Sequence, residues 1–209
     1  MSKYNKMYNQ NLKENSPLVE GENLILSVKP KKSAYILNQI LTMMPIALIW
    51  LAFDSMFIIG TIFGNADKKL WLMLIPFFAL HLMPVWIWLA NVLSANKKWQ
   101  NTKYYVTDKR IIIQNGFIAE NYQTLYYKDI KNVYMRRGFI DQILKVGDIY
   151  FDLGYNTKAV QNAVFVDLEN ANEVYQKIQK IVLDIQTDIE YPNALRPEEN
   201  PGYNTKYKG

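Results

Sequence analysis

The sequence predicts an α+β chain in which two transmembrane helices precede a domain of short strands, and an amphipathic helix closes that domain. Two long apolar stretches, Ile36–Phe63 and Leu70–Leu93, predict the transmembrane helices. Short segments rich in Ile, Val and Tyr follow, and the last periodic segment repeats its apolar residues at helical spacing. The chain therefore divides into a partly disordered N-terminal segment, a helical hairpin, a β domain and a flexible tail, at residues 1–34, 35–96, 97–190 and 191–209.

The two apolar stretches are typical of membrane spans rather than of buried helices in a soluble core. Each exceeds the roughly 20 residues that cross a hydrocarbon core. Soluble helices carry charged residues at helical spacing, whereas Asp54 is the only charged residue of the first stretch and His81 the only titratable residue of the second. Only six residues, 64–69, separate the stretches, which predicts a tight hairpin. Tryptophans near the ends of the second stretch are expected at the membrane interface, namely Trp71, Trp86 and Trp88.

Basic residues flank the hairpin unequally, and this predicts its orientation. Eight basic residues lie close to the outer ends of the two spans: Lys29, Lys31, Lys32, Lys97, Lys98, Lys103, Lys109 and Arg110. The connecting loop carries only Lys68 and Lys69. By the positive-inside rule both termini lie in the cytoplasm, which predicts a multi-pass plasma-membrane protein. Residues 1–33 lack the apolar core of a signal peptide, and the absence of cysteine agrees with a reducing compartment.

The β domain is predicted from short runs separated by turn residues. These runs are Tyr104–Thr107, Arg110–Gln114, Phe117–Asn121, Gln123–Tyr127, Ile130–Arg136, Gly147–Leu153 and Ala163–Leu168. Asn115-Gly116 predicts a tight type I′ hairpin between the second and third runs. Leu24–Val28, before the hairpin, is either a strand or a segment lying on the membrane surface.

A C-terminal helix is predicted to lay an apolar stripe on the sheet. The stripe consists of Val174, Ile178, Ile181, Val182, Ile185 and Ile189. Asn170 and Glu173 have the spacing of a capping box at the start of this helix.

Three stretches of the β domain, Tyr105–Gly116, Lys128–Val133 and Arg137–Tyr150, resemble the bacterial pleckstrin-homology-like (PH-like) family over roughly residues 99–185. Glu20-Gly21-Glu22 ahead of a membrane hairpin is similar to the membrane-anchored, YdbS-like branch. The resemblance implies a strongly bent antiparallel β-sheet or barrel in two orthogonal layers, capped by a C-terminal helix. The sequence departs from the family pattern at Leu144–Gly147, where the corner is expected to be one residue longer. The pattern contains no catalytic residues.

Asp54 and His81 are the candidate intramembrane site. Counted along a helix from the connecting loop, both lie about 15–18 Å deep, near the middle of a bilayer. A carboxylate at that depth is costly unless it is paired or hydrated, so a contact between the two side chains is expected. The pair is either functional or a neutral structural pair. Prolines are expected to kink these helices, at Pro45, Pro76 and Pro84.

The cations Lys109, Arg110, Arg136 and Arg137 are the candidate contacts for lipid or partner. For Arg110 the structural alternative is an ion pair with Asp108 or Asp129, and the Thr107 hydroxyl is expected to bond locally at a turn. Protein binding is also suggested by amphipathic rings, of which some must be core residues. They are Tyr122, Tyr126, Tyr127, Tyr134, Tyr150 and Tyr155.

Several classes of activity are disfavoured by composition. The net charge of +5 is spread thinly, which argues against nucleic acid as a partner. The β domain has neither His nor Cys, and Asp148, Asp152 and Asp167 are expected to face water, so neither an enzyme, a metal site nor a cofactor is predicted.

The predicted function is a membrane-anchored interaction or scaffold module on the cytoplasmic face. Its expected partners are membrane lipids and other membrane proteins, and it is also a candidate homo-oligomer. The first alternative is an oligomer in transport or antimicrobial-peptide resistance that uses Asp54 and His81. The second is sensing of anionic lipid.

Overall fold

The computed structural model describes residues 17–64, 67–154 and 163–190. The predictions for residues 1–16, for Tyr155 and for the tail at 191–209 lie outside these ranges. The described residues form two compact units, a helical unit within residues 32–100 and a β unit that combines the described residues before 32 with those after 100. The helices are therefore an insertion into the β unit, an arrangement that the linear division of the sequence does not anticipate.

The described residues of the helical unit form four helices, because each predicted span is interrupted. They are α1 (Lys32–Leu41), α2 (Met44–Phe63), α3 (Lys68–His81) and α4 (Met83–Asn101). Each predicted span, over 36–63 and over 70–93, is thus divided between two helices, and the prediction of two transmembrane helices is not confirmed. Proline explains both breaks: Pro45 and Pro84 are the second residues of α2 and α4, and each lacks the N–H that would continue the preceding helix. Pro76 lies inside α3.

The length of the helices limits how many of them can cross a membrane. Of the described residues, only the helix Met44–Phe63 is by itself long and apolar enough, and 11% of its apolar window is buried. The α3–α4 pair reaches the same length only if the two helices, bent by 53° at their junction, count as one span. By length and composition the described residues thus contain one candidate span, or up to two.

In the part that the structure describes, the β unit contains two antiparallel sheets. The first has the order β1 (Leu24–Val28), β2 (Lys103–Thr107), β3 (Arg110–Asn115) and β4 (Asn121–Tyr126). The second has the order β5 (Asn132–Arg136), β6 (Val146–Asp152) and β7 (Val164–Glu169). The helix α6 (Ala171–Glu190) ends the described chain, and a short helix, α5 (Phe139–Leu144), joins β5 to β6. The predicted α+β class, with antiparallel sheets and a C-terminal helix, is confirmed.

Leu24–Val28, which the sequence left open, is a strand of the first sheet. It pairs with β2, and Val28 lies opposite Tyr104. The helical unit is therefore inserted between two neighbouring antiparallel strands. The chain leaves the sheet after β1 and returns to it at β2, so both ends of the insertion meet the same end of the sheet.

One core joins the two sheets and α6. The predicted stripe of α6 contributes four buried residues, Ile178, Ile181, Val182 and Ile185, whereas Ile189 is exposed. Tyr104 of β2 stacks on Phe165 of β7 with ring centroids 4.3 Å apart, which links the first sheet to the second. Full burial of such side chains contributes about 1.5–3 kcal/mol each. The alternating apolar residues of the short strands thus contribute to one common core.

Two local predictions for the β unit are wrong. Phe117–Asn121 is not a strand: residues 116–120 form a loop, and β4 begins only at Asn121. Gly116 has φ 146°, and a Cβ there would lie 1.9 Å from the carbonyl oxygen of Ala119, so the loop folds back onto its own glycine. Asn170 has a left-handed φ of 53°, not the extended backbone of a capping residue, and its backbone carbonyl accepts the N–H groups of Glu173 and Val174.

The corner at Leu144–Gly147 contains the end of a helix that the sequence analysis did not predict. Asp141 accepts the N–H of Gly138 at the start of α5, with 2.7 Å between the atoms. Lys145, at φ 56°, ends α5 in the left-handed conformation. Six residues are too few to display a clear helical period.

Candidate functional site

Asp54 of α2 and His81, the last residue of α3, lie in contact. His81 Nδ1 is 2.8 Å from Asp54 Oδ1. The Asp54 side chain is 1% exposed and that of His81 is 31% exposed. Asp54 Oδ2 is buried and has no hydrogen-bond partner among the described residues. The sequence placed these two residues at matching depth, and the helices bring them together.

Aromatic rings surround the histidine. Its ring stacks on Phe77 at 5.1 Å and lies 5.5 Å from Trp50 and 6.4 Å from Phe53, measured between ring centroids. If Asp54 is ionised, Nδ1 must carry the proton in that hydrogen bond. One histidine and one carboxylate in an apolar cage can hold, donate or accept a proton, or can simply satisfy each other.

Three tryptophan indoles donate hydrogen bonds to backbone carbonyls at the helix breaks. Trp50 Nε1 donates to the His81 carbonyl at 2.8 Å, and Trp86 Nε1 donates to that of Ala79 at 3.0 Å, both at the end of α3. Trp88 Nε1 donates to the Ile40 carbonyl at 2.8 Å, at the end of α1. Helix ends leave carbonyls without partners, and in an apolar setting each needs a donor. For Trp86 and Trp88 the sequence analysis considered only an interfacial position and missed this role.

The candidate cation Arg110 is engaged inside the β unit. Its Nε and Nη2 each lie 3.0 Å from a Glu22 carboxylate oxygen, and Nη2 also donates to the Pro17 carbonyl at 3.2 Å. Its partner is Glu22 rather than the predicted Asp108 or Asp129. The hydrogen bond from Arg110 to Glu22 outweighs desolvation and raises the Arg110 pKa.

The Glu22 carboxylate is held from three directions. The Thr107 hydroxyl is 2.7 Å from Oε1, and the Val19 N–H is 2.9 Å from Oε2. Burial alone would raise the Glu22 pKa, but the hydrogen bonds from Arg110, Val19 and Thr107 together lower it. The Thr107 oxygen also accepts the N–H groups of Lys109 and Arg110, which is the local turn bonding that the sequence predicts.

The other candidate cations do not gather into one site. Lys109 is exposed at the β2–β3 turn, and Arg136 and Arg137 are exposed between β5 and α5. Beside Arg137 lies an open groove of about 490 Å³. Its lining mixes cations, carboxylates and amides: Arg137, Asp141, Gln142, Lys145, Asn170, Asn172 and Glu173. Two cations beside two carboxylates are a poor match for a phosphate group.

The tyrosines divide between core and surface. Tyr127 is buried, and its hydroxyl donates to the Thr107 carbonyl. Tyr122 and Tyr126 are exposed on β4, which is an edge strand. Tyr134 is exposed on β5, another edge strand, and stacks on Tyr150 at 5.1 Å. The Tyr122 hydroxyl donates a hydrogen bond to Glu120, and this bond raises the pKa of Tyr122 to about 12.

In the part of the chain that the structure describes, no three His, Asp or Glu side chains lie close enough together to bind a metal ion. Asp148 Oδ1 instead accepts the backbone N–H of Asp167 at 2.8 Å.

Comparison with known proteins gives one match. The model of the bacterial PH domain matches residues 37–182, a range that holds most of the helical unit and β2 through the first half of α6. No curated protein and no solved structure matches the chain. The match does not distinguish branches of the family, so the YdbS-like assignment stays a prediction. Because well over half of the sequence fits the family model, the chain belongs to the bacterial PH domain family.

Proposed function

We propose that this chain is a membrane-anchored interaction or scaffold module. In this proposal the helical unit crosses the plasma membrane, and the PH-like β unit lies on the cytoplasmic face, where it assembles with other membrane proteins. Its fold is the strongly bent, two-layered sheet that the family resemblance implies. The PH-like domain family is typically non-catalytic, and no cofactor enters the proposal.

The observation that carries the anchoring is the inverted polarity of α2. Its one charged side chain, Asp54, is 1% exposed, whereas Met56 is 74% and Phe63 is 82% exposed. Soluble proteins place charge outside and large apolar residues inside, and rarely expose apolar patches above a few hundred Å². A helix with the opposite arrangement is suited to hydrocarbon.

The topology supports an even number of crossings. Since β1 and β2 are paired neighbours, with Val28 opposite Tyr104, both ends of the insertion start from one side of the membrane. One crossing by α2 therefore requires a second by the bent α3–α4 pair. The excess of Lys and Arg outside the hairpin favours the cytoplasm as that side.

The interaction role rests on the exposed rings of the two edge strands. Tyr122 and Tyr126 on β4 and Tyr134 on β5 present amphipathic side chains of the kind enriched at protein interfaces. An edge strand also has backbone groups that can pair with a segment of another protein. Other integral membrane proteins are the expected partners.

Anchoring can be tested by cysteine labelling, because the native chain has no cysteine. Single replacements Lys69→Cys, Lys128→Cys and Ile59→Cys would be treated with a membrane-impermeant maleimide in intact cells. We expect labelling at 69 at once, at 128 only after permeabilisation, and at 59 in neither case. Equal labelling at 69 and 128 in intact cells, or release of the protein by alkaline carbonate, would contradict the proposal.

The interaction role needs a separate test. A photo-crosslinking amino acid at Tyr126 should give a discrete adduct with an integral membrane protein in native membranes, and one at Lys128 should give less. Crosslinking at neither site above the background of a non-irradiated sample would count against a scaffold role.

A second candidate, an oligomer in transport or antimicrobial-peptide resistance, is favoured by one observation. Asp54 Oδ2 is buried without a partner among the described residues, as expected for a group that takes up a proton or ligand. Asp54→Asn combined with His81→Gln should abolish such a phenotype. A phenotype that persists in this double variant would exclude the pair from the activity.

A further inference from the structure

We infer that the β unit also binds the lipid surface of the bilayer, through two apolar projections: the β3–β4 tip (residues 116–120) and the exposed face of α5. This inference rests on the proposed membrane anchoring. The partner is the interfacial region of a phospholipid bilayer.

The β3–β4 tip presents apolar side chains where the sequence predicted a strand. Ile118 is 89% exposed and Phe117 is 44% exposed. The tip is held in place: Asn101 Nδ2 donates to the Phe117 carbonyl at 3.1 Å. Asn101 is the last residue of α4, so the tip lies beside the residue at which the chain returns from the helical unit.

The helix α5 makes the second projection. Phe139 is 80% exposed and Ile143 is 65% exposed. Their spacing of four residues puts them on one face of the helix. The far end of α5 is tied to the start of the insertion, since Lys31 Nζ donates to the Leu144 carbonyl at 3.2 Å. Lys31 directly precedes α1.

The two projections therefore flank the points at which the chain leaves and rejoins the β unit. These points are neighbours, since the strands that lead to them are paired at Val28 and Tyr104. If the hairpin ends at residue 96, as the sequence predicts, five further residues reach Asn101. Along a helix this is about 8 Å, comparable with the polar layer on each side of the hydrocarbon core. Chain length alone thus keeps the tip within reach of the interface.

The charges at this end of the sheet are mixed but mostly positive. Lys29 and Lys103 lie close enough that burial and the nearby Lys103 charge lower the Lys29 pKa. Lys31 is offset by Glu169 at 3.3 Å, and Glu120 of the tip accepts the Tyr122 hydroxyl at 2.7 Å. The apolar side chains, rather than net charge, are the main source of binding.

Collisional quenching in the full-length protein tests this inference. Single variants Ile118→Cys, Ile143→Cys, Lys128→Cys and Ile59→Cys would carry a fluorophore. Each would be reconstituted in phosphatidylcholine vesicles, with and without phosphatidylglycerol. The quencher is a nitroxide on the lipid acyl chain near the headgroup, compared with a water-soluble quencher. The first two side chains are already exposed, so these labels should leave the fold intact, and Lys128 is the matched aqueous control at the opposite end of the sheet.

We expect the lipid nitroxide to quench the labels at 118 and 143 several-fold more than the label at 128, in both lipid compositions. If those labels match 128 while the label at 59 is quenched, the inference fails and the anchoring stands. If the label at 59 is not quenched, the anchoring itself fails. If the labels at 118 and 143 are shielded from both quenchers, they lie in a protein contact instead. If their quenching requires phosphatidylglycerol, apolar insertion is excluded. Either result overturns the inference.

Discussion

Glu22 and Arg110 form a buried, two-point ion pair that ties the segment before β1 to the first residue of β3. Both nitrogen–oxygen distances are 3.0 Å, and the Glu22 side chain is completely shielded from solvent. The pair lies at the end of the first sheet opposite the helical insertion. Together with the hydrogen bonds between Asn23 and Asp108, it secures the start of β1.

Replacing Glu22 with Gln should destabilise the β unit by about 3 kcal/mol, because removal of one partner leaves the Arg110 guanidinium largely buried without its counter-charge. The free energy of unfolding can be followed by pulse proteolysis of the detergent-solubilised protein in urea. Glu20→Gln is the matched control, since Glu20 is exposed, and should change stability by less than about 0.5 kcal/mol. Equal effects of the two changes would mean that the pair contributes little.

The same carboxylate should make stability depend on pH. The net effect of its hydrogen bonds, chiefly that from Arg110, is to lower the Glu22 pKa from 4.5 against the opposing effect of burial. A folded-state pKa below the unfolded one stabilises the fold above the unfolded pKa, and this contribution is lost as pH falls through the folded pKa. Stability of the native chain should therefore drop more steeply below pH 4.5 than that of Glu22→Gln. Parallel pH profiles would contradict this assignment.

The sequence predicts whether a segment is a helix or a strand better than it predicts the residues at which that segment begins and ends. Alternation of apolar residues identifies most strands because one face of each is buried, and the stripe of α6 identifies that helix. The tip at residues 116–120 escaped prediction, because Phe117 and Ile118 have strand propensity yet their backbone is set by contacts within the loop.

Alanine should have opposite effects on stability at two glycines, because one lies in the β3–β4 tip and the other in a regular helix. At Gly116 a Cβ would meet backbone 1.9 Å away, so Gly116→Ala should cost at least about 2 kcal/mol. At Gly60 of α2 a Cβ meets nothing within 4 Å, and Gly60→Ala should be neutral or stabilise by up to about 1 kcal/mol. Thermal unfolding of both variants in one detergent checks the contrast, and a harmless Gly116→Ala would show that the loop can relax.

The tryptophan contacts predict that stability falls when the indole N–H of Trp50, Trp86 or Trp88 is removed. Trp50→Phe, Trp86→Phe and Trp88→Phe should each lower stability by about 1–3 kcal/mol, because a carbonyl at a helix break loses its donor. Trp71→Phe is the control, since the described part of the chain provides no hydrogen-bond acceptor for that indole. Unfolding by increasing dodecyl sulfate measures the differences. A loss at Trp71 as large as the others would attribute the effect to ring volume instead.

The contact between Asp54 and His81 could be predicted because depth in a helical hairpin follows from residue count. Its surroundings could not, since Trp50 and Phe53 approach His81 from α2 while Phe77 stacks on it from the preceding turn of α3. Pro84 marks that break in the sequence, but nothing there indicates which side chains satisfy the released carbonyls.

A double-mutant cycle on Asp54 and His81 should show that the two residues are energetically coupled. His81→Leu leaves a buried carboxylate without its partner, which should cost about 3 kcal/mol or more in an apolar setting. Combining Asp54→Leu with His81→Leu removes both polar groups and should restore most of that stability, as is common when a buried pair is replaced as a whole. Dodecyl sulfate unfolding followed by tryptophan fluorescence, with Trp50 beside the pair, gives the four free energies. Additive effects, with the double variant as unstable as the sum of the single ones, would show that the two side chains contribute independently.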